Sequence, residues 1–139
     1  MEVLVYLLLA VLFWGVAPIF GKLGLKEATP LAAITIRSLG ISLILLAATA
    51  LTGQWQGLRE TDARSAALVL AEGVCAGLLG HFAYYYALKA GEVTETTLLA
   101  RTAPIVTVIL SYALLGERLT PTQLGGMALI IAGSALMIL

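Results

Sequence analysis

The chain has 139 residues, of which 60% are hydrophobic and 12% charged, and its mean hydropathy is +1.01. A soluble domain carries about 25% charged residues, so a water-soluble globule is excluded. The formal net charge is zero, so nothing points to nucleic acid as a partner, and the single cysteine excludes an internal disulfide.

Five apolar stretches use most of the length: residues 3–20, 30–51, 65–88, 96–115 and 121–139. Each approaches the roughly 20 residues that cross a bilayer's hydrocarbon core. The sequence therefore predicts an all-α membrane protein of five transmembrane helices, a single domain over residues 1–139.

The first span holds Trp14, Gly15 and Pro18. Its start is not basic and no small-residue cleavage site follows, so it reads as a retained helix. Pro18 has no amide hydrogen and clashes with the carbonyl of Trp14, so a kink is expected there. Interrupted helices of this kind place free carbonyls at transporter binding sites. Lys22, Lys26 and Glu27 read as a short polar loop.

Thr29-Pro30 caps and opens the second span. Arg37 lies about two turns inside it. A charge near a helix centre costs about 2.5–3.5 kcal/mol on insertion scales. Arg37 either snorkels to the headgroups or faces a cavity and holds an anionic group. Residues 53–64 read as the one substantial loop, with Trp55 as an interfacial anchor.

The third span is the most unusual. At 100° per residue Gly73, Gly77 and Gly80 share a stripe with Tyr84 and Ala87, which suits close helix packing in lipid. Glu72 is the only carboxylate placed well inside a span and is a candidate for proton or cation coupling. His81 lies nine residues on, so an ideal helix points it the opposite way. Cys75 reads as inert packing. One histidine and one cysteine do not make a metal site, and no cofactor is expected. Tyr84, Tyr85 and Tyr86 fall at the interface end as belt anchors or pocket linings.

Lys89, Glu92 and Glu95 form the next expected loop. In the fourth span Arg101 lies about two turns in, and Pro104 frees the carbonyl of Ala100. GERLTPTQ then joins the last two helices. Gly116 suits a left-handed helix end, while Thr120, Pro121 and Gln123 make a capping box with proline at the first position. Glu117 and Arg118 are expected at the tip, facing headgroups and water. Gly126 and Gly133, seven apart, share a packing face of the last helix.

Several of these segments resemble a family. Pro104, GERLTPTQLGG and the glycine-bearing last helix are similar to the end of an EamA domain of the drug/metabolite transporter superfamily. FWGVAPIFGKLG with Ala33-Ile34-Thr35-Ile36-Arg37 resembles the start of that domain, and Tyr86-Ala87-Leu88-Lys89 the end of its third helix. The resemblance covers nearly the whole chain. It implies a single five-helix repeat, half of an inverted-repeat transporter fold. Small multidrug resistance proteins pair in this way too, but their key glutamate lies in the first helix. This chain has only Glu2 at the edge of its first span, so their proton-coupled exchange of cationic drugs is not carried over as the first reading.

The layout sharpens the expectation. The loops after the first and third spans share one membrane side, A; the others share side B. Trp14, Arg37, His81, Tyr85 and Arg101 are the expected lining of a substrate cavity in the A half, with Pro18 and Pro104 shaping it. Lys22, Lys26 and Lys89 on side A balance Arg59, Arg64 and Arg118 on side B, so the positive-inside rule fixes no orientation. A homodimer, antiparallel if the chain inserts both ways, would rebuild a ten-helix transporter. The expected function is transport of a small anionic or zwitterionic, amino-acid-like metabolite in the plasma (inner) membrane. A non-transporting accessory subunit is the alternative, as is export of cationic drugs coupled through Glu72. No nucleophile–base pair, paired carboxylates or metal cluster suggests an enzyme.

Overall fold

The computed structural model describes residues 2–136. The described residues are helical, joined by short turns, with no strand among them. They form two units, residues 1–89 and 90–139.

In the first unit, α1 spans Glu2–Gly24 and α2 spans Pro30–Thr52. The first helix runs four residues past the predicted end, so Lys22 lies in its last turn rather than in a loop. It continues through Pro18, whose ring is buried. Thr29 caps α2: its side chain accepts from the amide of Ala32 at 3.2 Å, with Pro30 at the first position. Gly53 ends α2 in the left-handed conformation, φ 68°.

The expected loop 53–64 is not structureless. It contains a short helix, α3 (Trp55–Glu60). Gln56 and Glu60, four apart on that turn, hydrogen-bond at 2.7 Å, which supports helix in a segment too polar to enter lipid. Asp62 then caps α4 (Ala63–Glu72), accepting from the amides of Arg64 and Ser65 at 3.0 Å. Its hydrogen bonding to Ser65, side chain first and then backbone, holds the carboxyl below the usual carboxylate range.

The third span is continuous from Ala63 to Ala90 but is not a uniform α-helix. Gly73–Gly80 is wound as a π-helix, with α5 (His81–Ala90) following. The amide of His81 bonds the carbonyl of Ala76, five residues back. A π segment inserts about one residue into the winding. The 100° wheel therefore fails across it. Nine ideal steps turn about 900°, placing Glu72 and His81 half a turn apart; one inserted residue removes about 100° and leaves them about 80° apart. The predicted glycine stripe is broken in register for the same reason. Cys75, expected to be packed, is exposed on this segment.

The packed core of the described residues is small and sits at one end of the first unit. Leu25, Ile34 and Leu88 are 1%, 2% and 0% exposed. They come from the α1–α2 turn, the start of α2 and the end of α5. Gly21 permits the approach: a Cβ there would lie 3.2 Å from Cδ2 of Leu88. Two lysines tie the same corner. Lys22 Nζ donates to the carbonyl of Leu88 at 2.7 Å and to that of Lys89 at 3.4 Å. Lys89 Nζ donates to the carbonyl of Ala28 at 2.7 Å. Lys22 thus satisfies orphan carbonyls at the end of α5 and complements its dipole.

In the second unit the fourth span opens at Val93, three residues before the predicted start. It comprises α6 (Val93–Ala100) and α7 (Ala103–Leu110), joined through a tighter turn at Arg101 and Thr102, whose backbones stay in the right-handed helical region. Pro104 sits in the first turn of α7, where its missing amide costs nothing. A second π turn, Ser111–Leu115, follows α7 and ends at Gly116, φ 69°. The last helix, α8, begins at Pro121 and is described to Leu136. Thr120 Oγ1 accepts from the amide of Gln123 at 3.3 Å, and Gln123 Oε1 accepts from the amide of Thr120 at 2.9 Å. The predicted capping box is therefore formed.

Among the described residues four helices are long and apolar enough to span a membrane: Glu2–Gly24, Pro30–Thr52, Ala63–Ala90 and Val93–Leu115. The described part of α8 has 16 residues, and the predicted end of the fifth span, residues 137–139, lies outside the described residues.

Candidate functional site

The residues predicted to line a cavity divide between the two units. Trp14, Arg37, His81 and Tyr85 belong to the first, Arg101 to the second.

Within the first unit, His81 and Tyr85 are brought together. Their rings meet edge to face with centroids 6.1 Å apart, and Tyr84 meets His81 likewise at 6.4 Å. All three rings are half-buried. His81 Nδ1 lies 2.8 Å from the carbonyl oxygen of Ala76. The imidazole therefore donates from Nδ1 and leaves Nε2 as its second polar atom. Tyr85 reaches toward the α1 corner, 3.9 Å from where a Cβ on Gly21 would stand. Arg37 is half-buried on α2, one turn beyond the buried Ile34. Trp14 is 61% exposed, one turn before Pro18. Glu72 is exposed at the end of α4, where the π winding begins.

The glycines differ in what surrounds them. A Cβ on Gly80 would meet the carbonyl oxygen of Cys75 at 3.1 Å, because the π turn brings that carbonyl under residue 80. Among the described residues of the first unit nothing stands within 4 Å of a Cβ at Gly73 or Gly77, and the same holds at Gly126 and Gly133 among those of the second.

In the second unit Arg101 stands at the turn that joins α6 and α7. Its amide bonds the carbonyls of Thr97 and Leu98 at 3.2 and 3.0 Å, closing α6, while Pro104 starts α7. The winding tightens around the proline: the amide of Thr102 bonds the carbonyl of Leu99 at 3.1 Å, and that of Ile105 the carbonyl of Thr102 at 2.9 Å.

A second feature of this unit escaped the sequence reading. Glu117 does not simply face headgroups and water; its carboxylate Oε2 accepts from the hydroxyl of Ser111. Gly116 in the left-handed conformation turns the chain back toward the π turn and makes this possible. Beside this bond lies a pocket of about 210 Å³. Its polar wall is Thr107, Ser111, Tyr112, Glu117 and Gln123; its apolar wall is Val108, Leu119 and Met127. The only signal in the sequence was the glycine before Glu117.

No group of three or more histidine, cysteine or carboxylate side chains among the described residues is arranged to hold a metal.

Comparison with known proteins gives the family. The model of the EamA-like transporter family matches residues 1–139. A Sinorhizobium protein described as an uncharacterized transporter in the cobO 3′ region is 30% identical over 130 residues, covering 94% of this chain and 92% of its own length. An uncharacterized protein of Methanocaldococcus jannaschii is 29% identical over 130 residues, covering 94% and 91%. No solved structure matches significantly. The relatives are thus of single-repeat length, and the apolar spans make this a multi-pass membrane protein: the chain belongs to the EamA-like transporter family.

Proposed function

We propose that the protein transports a small anionic or zwitterionic, amino-acid-like metabolite across the plasma (inner) membrane by alternating access, as a homodimer. The observation that carries this reading is the local tightening of the fourth span at Arg101-Thr102, where the amides of both residues reach carbonyls three residues back. A mid-helix stretch of this tighter winding often marks a functional hinge. A guanidinium at such a turn offers a planar, bidentate grip on a carboxylate. The first unit brings its own proposed substrate-binding side chains: Arg37 on α2 as a second cation, with Trp14, His81 and Tyr85. Glu72 supplies a group for proton coupling. The transport cycle needs no covalent step.

Three facts favour two copies. Relatives of single-repeat length match end to end. Glu72 is exposed on a membrane span, and an uncovered carboxylate there costs a few kcal/mol that a second copy offsets. Gly73, Gly77, Gly126 and Gly133 have open space that a neighbouring helix can fill. Balanced loop charges favour antiparallel pairing.

Reconstitution in liposomes containing only this protein tests the function. Flux of labelled carboxylates and zwitterions is expected, with at least tenfold loss in Arg37→Ala and in Arg101→Ala. Full activity in both variants overturns the cavity; absence of flux with every substrate favours an accessory subunit. Flux of lipophilic cations that depends on Glu72 favours the cationic-drug alternative. Topology is tested separately. Reporters fused at residue 139, one active only inside and one only outside the cell, are both expected to work. A single working reporter overturns the antiparallel homodimer.

A further inference from the structure

We infer that the pocket between the end of the fourth span and α8 binds a primary ammonium group, with the Glu117 carboxylate as its counter-ion. This reading is independent of the proposed transport cavity, none of whose residues lines the pocket.

The charge balance of the wall decides the class of ligand. Among the described residues that line the pocket, Glu117 is the one charged side chain, with no lysine or arginine beside it. An anion therefore meets a like charge with no compensation, whereas a cation gains a charge-assisted hydrogen bond. The geometry leaves a carboxylate oxygen for that bond. Oε2 of Glu117 accepts from Ser111, and Oε1 has no partner among the described residues. Gln123 Oε1 is already committed to the amide and hydroxyl of Thr120, at 2.9 and 3.0 Å, so its amide nitrogen is the end available to a ligand's polar substituent. Tyr112 also lines the pocket, a residue type that attracts cations.

Size narrows the class further. Sites for drug-sized molecules run about 300–1,000 Å³, so a pocket of about 210 Å³ takes a smaller group. Val108, Leu119 and Met127 supply an apolar wall for a short alkyl chain. An ammonium on a two- to four-carbon stem satisfies charge, volume and apolar wall together. Two sources carry that chemistry: a free short-chain amine and the ethanolamine headgroup of a phospholipid. The pocket sits at the turn end of the α7–α8 hairpin, where either has access.

The Ser111–Glu117 bond already gives these residues a role in closing the turn. Glu117→Gln separates that role from ligand binding, because the amide keeps an acceptor for Ser111 and removes only the charge. The test uses the full chain in maltoside micelles. n-Butylammonium chloride is titrated against thermal unfolding and equilibrium dialysis, with n-butanol as the uncharged control. In parallel, native mass spectrometry follows retention of phosphatidylethanolamine against phosphatidylcholine, whose methylated headgroup cannot donate hydrogen bonds.

Butylammonium is expected to bind and raise the unfolding temperature, while butanol does neither. Glu117→Gln is expected to weaken binding at least tenfold with the unliganded unfolding temperature held within 2–3 °C. Val108→Trp, which fills the pocket without touching the charge, is expected to do the same. Arg118→Gln, one residue away but outside the pocket, is expected to bind as the parent does. Preferential retention of phosphatidylethanolamine, lost in Glu117→Gln, supports the site with a lipid headgroup as its source. Butylammonium binding without lipid selectivity supports it with a free amine as source. Absence of both, or binding unchanged in Glu117→Gln and Val108→Trp, overturns it. If Glu117→Gln fails to fold, Val108→Trp and the butanol control decide alone. Loss of this site leaves the flux test of Arg37 and Arg101 untouched, so either proposal can fail without the other.

Discussion

Leu88→Ala is expected to destabilise the first unit by about 2–5 kcal/mol, the range for truncating a fully buried leucine. Leu88 is 0% exposed and shares its corner with Leu25 and Ile34. These three, with the rings of Pro18 and Pro30, are the buried side chains among the described residues, so few contacts elsewhere absorb the loss. In lipid or detergent the apolar side chain gains little by leaving water. The cost therefore falls on lost dispersion contacts and on the cavity beneath Gly21. The two lysine bonds at this corner use the carbonyls of Leu88, Lys89 and Ala28 rather than the leucine side chain. They survive the substitution directly but lose the packing that holds their geometry.

Thermal unfolding in maltoside micelles measures this, with Leu46→Ala as the control. Leu46 is 54% exposed, so its truncation is expected to change stability by no more than about 0.5 kcal/mol. Leu88→Met keeps the volume and is expected to cost less than about 1.5 kcal/mol. Equal effects of Leu88→Ala and Leu46→Ala would mean that the corner is not the packed centre of the unit.

The contrast between these leucines also explains what the sequence hides. In a soluble helix the buried stripe differs from the exposed one by polarity. In lipid both are apolar, so Leu88 and Leu46 look alike in the sequence and differ only in the fold. Features set by a few neighbouring residues were legible for the opposite reason. Thr29 and Pro30, Gly116, and the Thr120–Gln123 box act within one turn, and each takes its predicted role. The helix inside residues 53–64 was masked by polarity, although Gln56 and Glu60 stand at helical spacing. Pro104 announced a disturbance in the fourth span, but the tighter turn at Arg101-Thr102 depends on how the backbone resolves the clash. The bond from Ser111 to Glu117 crosses a π turn and a left-handed glycine, a path that no regular period describes.

The π segment itself carries the remaining prediction, because two substitutions of the same chemistry should act in opposite directions. Glycine inside a helix costs about 1 kcal/mol relative to alanine. Gly77→Ala should therefore stabilise the protein by about that amount, since nothing stands within 4 Å of the added Cβ. Gly80→Ala has the same propensity gain but puts its Cβ 3.1 Å from the carbonyl oxygen of Cys75. That oxygen is backbone, so relief requires the π winding to shift rather than a side chain to rotate. Overpacking of this kind costs about 1–3 kcal/mol, which exceeds the propensity gain or at least cancels it.

Unfolding temperatures of the two variants in micelles read the difference. The expected order is Gly77→Ala above the parent and Gly80→Ala at or below it. If Gly80→Ala relaxes the segment to an ordinary α-helix, Glu72 and His81 return from about 80° apart to about half a turn. Transport that uses both groups from one side of the span then falls more than stability does, and reconstituted flux of Gly80→Ala is expected to drop at least fivefold. A Gly80→Ala protein as stabilised as Gly77→Ala would mean that the π turn does not crowd residue 80. Stability lost with flux intact would leave the π turn as packing, and would place coupling through Glu72 without reference to His81.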